Sequence, residues 1–297
     1  MTPWNVDGSR LLLRSTRPGG AVVLPADGSS LRGGVPSGPW SRLSTDEVYQ
    51  FDSDTDCVCA VNVLTGKRRD VFTIPDRPKQ WGVFLPPVSW DGKRILAVLG
   101  HQNRIKDPPT SFGYIIDTES VAAVRFDFAG NSHQVWFTKD ERYTVAWMYE
   151  SNQWEDDPGY FNGEWHMNPY TGERRQYLPK HFGHRAYAPG GVRVACQRSG
   201  MAVFDLPSGK GRTVYPNSGG HTTWGPDPDW FAATTRLPIT MIYPDHEDWF
   251  QQIAVTNTKL FQSDYWCEAH LDLSPDGTKI GYASNMLGDI DFYQAIA

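Results

Sequence analysis

A chain of 297 residues with 12 Trp, 28 Gly and 22 Pro can form one large domain only if its architecture is modular, because single hydrophobic cores stop growing near this size. A formal net charge of −6 without any run of Lys or Arg excludes nucleic acid as the main partner, since a phosphate-tracking surface needs clustered positive charge. An acidic polysaccharide stays compatible if positive groups are focused in a cleft. No apolar run approaches the ~20 residues of a spanning helix, so no membrane is expected. Met1-Thr-Pro-Trp-Asn5 lacks the basic start and apolar core of a signal peptide. The expected location is therefore secreted or periplasmic if a leader has been trimmed, and otherwise cytoplasmic. Four cysteines, at 57, 59, 196 and 267, make no disulfide framework in a chain this long. Cys57 and Cys59 share one face of a strand without geometry for a bridge, and with Cys196 they read as buried thiols.

In chain order the sequence repeats one unit, a turn followed by an apolar strand. Asn5-Val-Asp-Gly8 leads into Leu11-Leu-Leu13, and Val22-Val-Leu-Pro-Ala-Asp-Gly28 is the next strand with its turn. Trp40 to Tyr49 repeats the pattern, followed by Cys59 to Gly66, which ends in an Asn-x-x-Thr-Gly turn. Ser89-Trp-Asp-Gly92, Thr138-Lys-Asp-Glu141, Ala188-Pro-Gly-Gly191, Gly225-Pro-Asp227 and Ser274-Pro-Asp-Gly277 open the later units. In such strings Pro sets φ and Gly takes the φ > 0 position. Helical periodicity of useful length is absent. About seven units at a mean spacing of roughly 42 residues match four short antiparallel strands per propeller blade. The expected fold is an all-β, seven-bladed β-propeller of four-stranded antiparallel blades, a single domain over residues 1–297, expected as a monomer. Each blade alone buries too little, and stacked neighbours cover one another's aromatic faces.

The residues just before each turn string belong to the innermost strand of a blade. His133, His184, His221 and His270 each stand four or five residues ahead of a turn, so successive blades send an imidazole to one level. Imidazole, carboxylate and thiolate are ligands for Zn²⁺ and Mn²⁺. His221 and His270 are the core of the expected metal site. The third ligand is Glu268 if strand alternation has begun, or Cys267 if the chain is still turning; both stay open.

Gly183-His184 before Ala188-Pro-Gly-Gly, Gly220-His221-Thr-Thr-Trp224 before Gly225-Pro-Asp, and His270-Leu-Asp-Leu-Ser-Pro-Asp-Gly277 resemble the propeller polysaccharide lyases, the oligogalacturonate and ulvan lyases. The resemblance covers the last three repeats well and the first four as generic propeller. It implies that His184 is the Brønsted base and that His221 binds the metal. In the lyases a Gln and two further His complete the metal site; here Tyr265 stands in place of the Gln and Glu268 in place of one His.

The implied chemistry is β-elimination from a uronic acid in an acidic poly- or oligosaccharide. The proton α to the carboxylate is removable once that charge is neutralised by a metal or an Arg; a base then takes it, and the 4-O group leaves with help from an acid. The candidate catalytic residues are His184 as base with His133 second, Tyr187 as acid, and Arg185 to hold the carboxylate. Trp154, Tyr160 and Trp224 are the candidate sugar-stacking aromatics. The competing reading is a non-catalytic TolB-like or sugar-binding propeller. An accessory propeller of a hydrolase is disfavoured by the lack of a Gly-x-Ser-x-Gly elbow.

Overall fold

The computed structural model of the chain describes residues 3–14, 20–75, 77–79, 81–86, 88–101, 110–129, 132–137, 145–149, 163–178, 183–197, 200–206, 208–217, 220–234, 239–246, 250–253, 271–284 and 291–296. Among these residues every regular element is a strand, and no helix is long and apolar enough to cross a membrane.

The described strands form seven sheets, each an antiparallel meander in chain order. The first holds β1 (Arg10–Arg14), β2 (Ala21–Pro25) and β3 (Arg32–Val35). The second holds β4 (Glu47–Asp52), β5 (Cys57–Asn62) and β6 (Arg68–Thr73). The third is β7 (Trp81–Phe84), β8 (Arg94–His101), β9 (Thr110–Asp117) and β10 (Ala123–Ala129). The fourth is β11 (Ser132–Phe137), β12 (Val145–Tyr149), β13 (Gly163–Met167) and β14 (Arg174–Leu178). The fifth is β15 (Gly183–Tyr187), β16 (Arg193–Gln197), β17 (Met201–Asp205) and β18 (Gly211–Tyr215). The sixth is β19 (Thr222–Trp224), β20 (Phe231–Thr234), β21 (Ile239–Ile242) and β22 (Phe250–Ile253). The seventh is β23 (Asp272–Leu273), β24 (Lys279–Ser284) and β25 (Asp291–Ile296). Single bridges, Trp4 to Leu11 and Trp40 to Val48, add the place of one more strand before β1 and β4.

The chain divides into two compact units, Met1–His181 and Phe182–Ala297. Within each, neighbouring sheets pack face against face. In the first unit Tyr49, Val58 and Ala60 meet Ile95, Leu99, Tyr114 and Ile116. In the second, Ala195, Met201 and Val203 meet Trp224, Phe231 and Ala233, and Ala232 and Ile239 meet Leu273, Ile280 and Tyr282. A strand covered on both faces reads as a continuous apolar run, which is why β5 and β20 lack alternation, whereas Arg68-Arg-Asp70 on β6 and Gly211-Arg-Thr213 on β18 lie exposed. Cys57, Cys59 and Cys196 are buried as thiols, and burial pushes the Cys59 thiol up.

The turn strings form as their residue types demand. Ser274 Oγ donates to Asp276, whose Oδ1 also accepts from Thr278 N at 3.1 Å, while Lys279 N donates to Ser274 Oγ at 2.9 Å. Ser89, Asp91, Lys93 and Arg94 repeat the arrangement. Gly277 adopts φ 72°, and a Cβ there would lie 2.7 Å from Pro226 Cδ, on the turn of the neighbouring sheet. A second turn type closes the outer strands: the amide of the fifth residue donates to the carbonyl of the first in Asn62–Gly66, Asn168–Gly172 and Asp205–Gly209, with the glycines at φ 74°, 74° and 67°. The Asp117–Val121 turn has the same bond, yet Val121 holds the glycine's place at φ 55°.

A tryptophan latch recurs in both units. Trp40 Nε1 donates to Pro3 O at 2.7 Å, and Trp224 Nε1 donates to Ala186 O at 2.8 Å. In each case the indole stands one residue before a turn string, and the carbonyl stands two residues before the turn string of the preceding sheet.

Candidate functional site

The second unit brings two of the singled-out histidines together. β15 and β19 run side by side, and the rings of His184 and His221 lie 4.3 Å apart between centroids, with their planes inclined by 37°. They reach this proximity by different local means. His221 precedes β19, where its carbonyl accepts from Thr234 N at 3.0 Å. His184 lies inside β15 as the extra residue of a β-bulge: Gly183 pairs with Gln197 and Arg185 with Cys196, leaving His184 between them. Its φ of 30° is left-handed, a conformation that costs a residue with a Cβ about 1–3 kcal/mol and persists only where the surroundings enforce it. The backbone of β11 has the same irregularity at His133, between Ser132 and Gln134.

One contact that holds the ring is a side-chain bond across the hairpin. His184 Nδ1 lies 3.2 Å from Gln197 Oε1. Gln197 was not singled out from the sequence, although counting outward equally from the 188–193 turn reaches 184 on one strand and 197 on the other. Directly opposed residues of an antiparallel pair share a face. Tyr187 and Arg185 oppose Val194 and Cys196, so the register sets them on the face opposite to Gln197, apart from the His184–Gln197 bond.

Along the same row of first strands, Thr223 Oγ1 donates to Asp272 Oδ1 at 3.5 Å. Asp272 is half-buried as a residue, yet atoms are packed closely around its carboxyl, and this desolvation pushes the group up to about 7 against the pull of the Thr223 bond. Thr222 Oγ1 is buried without a hydrogen-bond partner among the described residues.

Trp224 is buried in the packing of β15–β18 against β19–β22, its N–H committed to Ala186 O, so its ring offers no open face for a sugar. Of the expected metal set only His221 falls within the described residues; Cys267, Glu268 and His270 lie outside them, as do Trp154 and Tyr160. His133 is described through its backbone alone. Among the described residues no group of three His, Cys, Asp or Glu side chains is placed to hold an ion.

The fold defined by these sheets is of the β-propeller type. Among solved structures, an oligogalacturonate lyase in complex with manganese matches with a TM-score of 0.76 at 14% identity, covering 100% of this chain and 88% of the other. The acylaminoacyl peptidase of Pyrococcus horikoshii matches at 0.63 with 11% identity over 96% of this chain and 48% of the other. TolB from Acinetobacter baumannii matches at 0.52 with 11% identity over 97% and 76%. At these identities the likeness concerns the fold. No family model and no curated protein sequence matches the chain.

Proposed function

We propose that the protein is a polysaccharide lyase that cleaves a uronic-acid-containing poly- or oligosaccharide by β-elimination, with the seven sheets as its blades. The observation that carries this reading is the His184 imidazole, strained into a bulge, bonded to Gln197 and set against His221. A histidine that only fills space has no need of a left-handed backbone. The structural likeness to a manganese-bound oligogalacturonate lyase supports the same reaction class.

In the proposed reaction His184 takes the proton α to the uronate carboxylate. The released electron pair forms the C4–C5 double bond, the C4–O4 bond breaks, and the departing oxygen gains a proton from solvent or an acid. Tyr187 is not assigned the acid's role, given its register. His221 and His270, with Glu268 or Cys267, are the residues to hold a Zn²⁺ or Mn²⁺ ion. A divalent ion held there would neutralise the carboxylate and so acidify the proton.

The test follows the ultraviolet absorbance of the unsaturated uronate across pectin-, ulvan- and glucuronan-type substrates, with elemental analysis of the purified protein. At least one substrate is expected to give the chromophore, and His184→Ala to lower its rate by about 10²–10⁴-fold. A protein that yields no chromophore and copurifies with no metal would instead be a TolB-like or sugar-binding scaffold.

A further inference from the structure

The polar side chain that fixes His184 belongs to no part of the reaction described above. Gln197 ends β16, and its amide meets the imidazole of His184, the extra residue of the bulge in β15. An amide oxygen only accepts hydrogen bonds. The contact between Gln197 Oε1 and His184 Nδ1 is therefore a bond only when Nδ1 carries the proton, which puts the ring's lone pair on Nε2. A free neutral histidine prefers the other tautomer, with hydrogen on Nε2, in which that nitrogen has no lone pair to take a proton. The His221 ring, 4.3 Å away, also restricts rotation of the imidazole that would exchange its two nitrogens.

We infer that Gln197 is the positioning residue of this site: it selects the Nδ1–H tautomer of His184 and so makes Nε2 the proton-accepting atom. The chemical use of that atom rests on the lyase reading; the tautomer does not. The bulge has a purpose on this view. A regular strand would place residue 184 directly opposite 197, where the two side chains run parallel. The inserted residue turns its ring toward the end of the opposing side chain instead.

The decisive measurement is the tautomer itself, read from two-bond ¹⁵N–¹H correlations on the full ¹⁵N-labelled chain. The spectrum is taken where the ring is neutral, in zinc-supplemented buffer so that no paramagnetic ion broadens it, and the resonance is assigned by its loss in His184→Ala. The expected spectrum shows a protonated Nδ1 and a lone-pair Nε2. Gln197→Leu should move His184 toward the Nε2–H form, and Gln197→Glu, whose carboxylate can also only accept from Nδ1, should restore it. A wild-type spectrum with hydrogen on Nε2 overturns the inference without any variant, as does an unchanged tautomer in a folded Gln197→Leu.

Turnover supplies a second readout on whichever substrate the chromophore assay identifies. Gln197→Leu is expected to lower kcat by about 10–100-fold, the scale of lost orienting bonds to functional histidines, with KM little changed, and Gln197→Glu to recover most of it. An Nδ1–H tautomer that depends on residue 197, in a protein that turns over no uronate, removes the lyase reading and leaves the positioning bond in place. Turnover by a protein whose His184 carries hydrogen on Nε2 does the reverse.

Discussion

The two ends of the β15–β16 hairpin are built by opposite rules. At the turn end, residues 188–193 close with backbone bonds of the kind found at 5–10, 89–94 and 274–279, and where Ser and Asp occur the side chains repeat the same donors and acceptors. At the other end the ladder loses its regularity: an extra residue enters β15, a non-glycine takes φ 30°, and a glutamine and two imidazoles meet. Repetition marks the end that holds sheets together, and departure from repetition marks the end available for chemistry. A strained non-glycine backbone also occurs away from this hairpin, and its context separates the two cases. Val121 is strained at an exposed outer turn, where the three sister turns use Gly. His184 is strained where its side chain has two specific partners.

The comparison can be broken first at the turn end. Gly277→Ala must accommodate both φ 72° and an approach of 2.7 Å to Pro226, and should destabilise by about 2–4 kcal/mol in urea melts. Gly190→Ala carries only the left-handed penalty, since nothing lies within 4 Å of its Cβ position, and should cost about 1 kcal/mol. Equal losses would show that neighbouring turns do not constrain one another. Val121→Gly should raise stability by about 1 kcal/mol or slightly more and leave any enzymatic rate unchanged. A destabilised Val121→Gly would mean that the valine side chain contributes packing at this turn.

His184 carries the same test to the other end. His184→Gly and His184→Ala both remove the imidazole, so both should lose about 10²–10⁴-fold in rate, yet the glycine variant should be the more stable by about 1 kcal/mol because it alone relaxes at φ 30°. Equal stabilities would remove the strain from the description of the site. The smallest effect concerns acid. Hydrogen bonds from Ser274, Thr278 N and Thr278 Oγ1 hold the Asp276 carboxyl down at about 2, below the ~3.9 of a free Asp. A depressed folded-state value gives stability that is complete above the unfolded pKa and is lost as pH falls through the folded one. Asp276→Asn should therefore flatten the stability profile between about pH 4 and about 2, and a profile as steep as the parent's would show that other carboxylates dominate there.

The strand repeat was legible because Ser, Asp, Asn and Gly do fixed jobs in turns, and because sheets covered on both faces leave uninterrupted apolar runs. The spacing of His184 and His221 ahead of their turns was enough to expect them at one level, and their rings do meet. The bulge was not legible: no residue type announces one, and without it the alternation of side chains along β15 cannot be read past residue 185. Trp224 misled for a related reason. An indole can stack on a sugar or cap a carbonyl, and only the neighbouring sheet, which supplies Ala186 O, distinguishes the two. Val121 breaks the Asn-x-x-Thr-Gly pattern at its last position, so its turn is recognisable from the backbone bond and not from composition.

The indole bonds of Trp40 and Trp224 have a consequence for cooperativity. Pro3 O already accepts from Leu12 N of its own sheet at 2.7 Å, and Ala186 faces Ala195, so each tryptophan adds a second donor to a carbonyl within one sheet and ties the next sheet to it. Replacing either ring would cut a bond that couples one sheet to the next, and the adjacent sheets would then melt less as a unit.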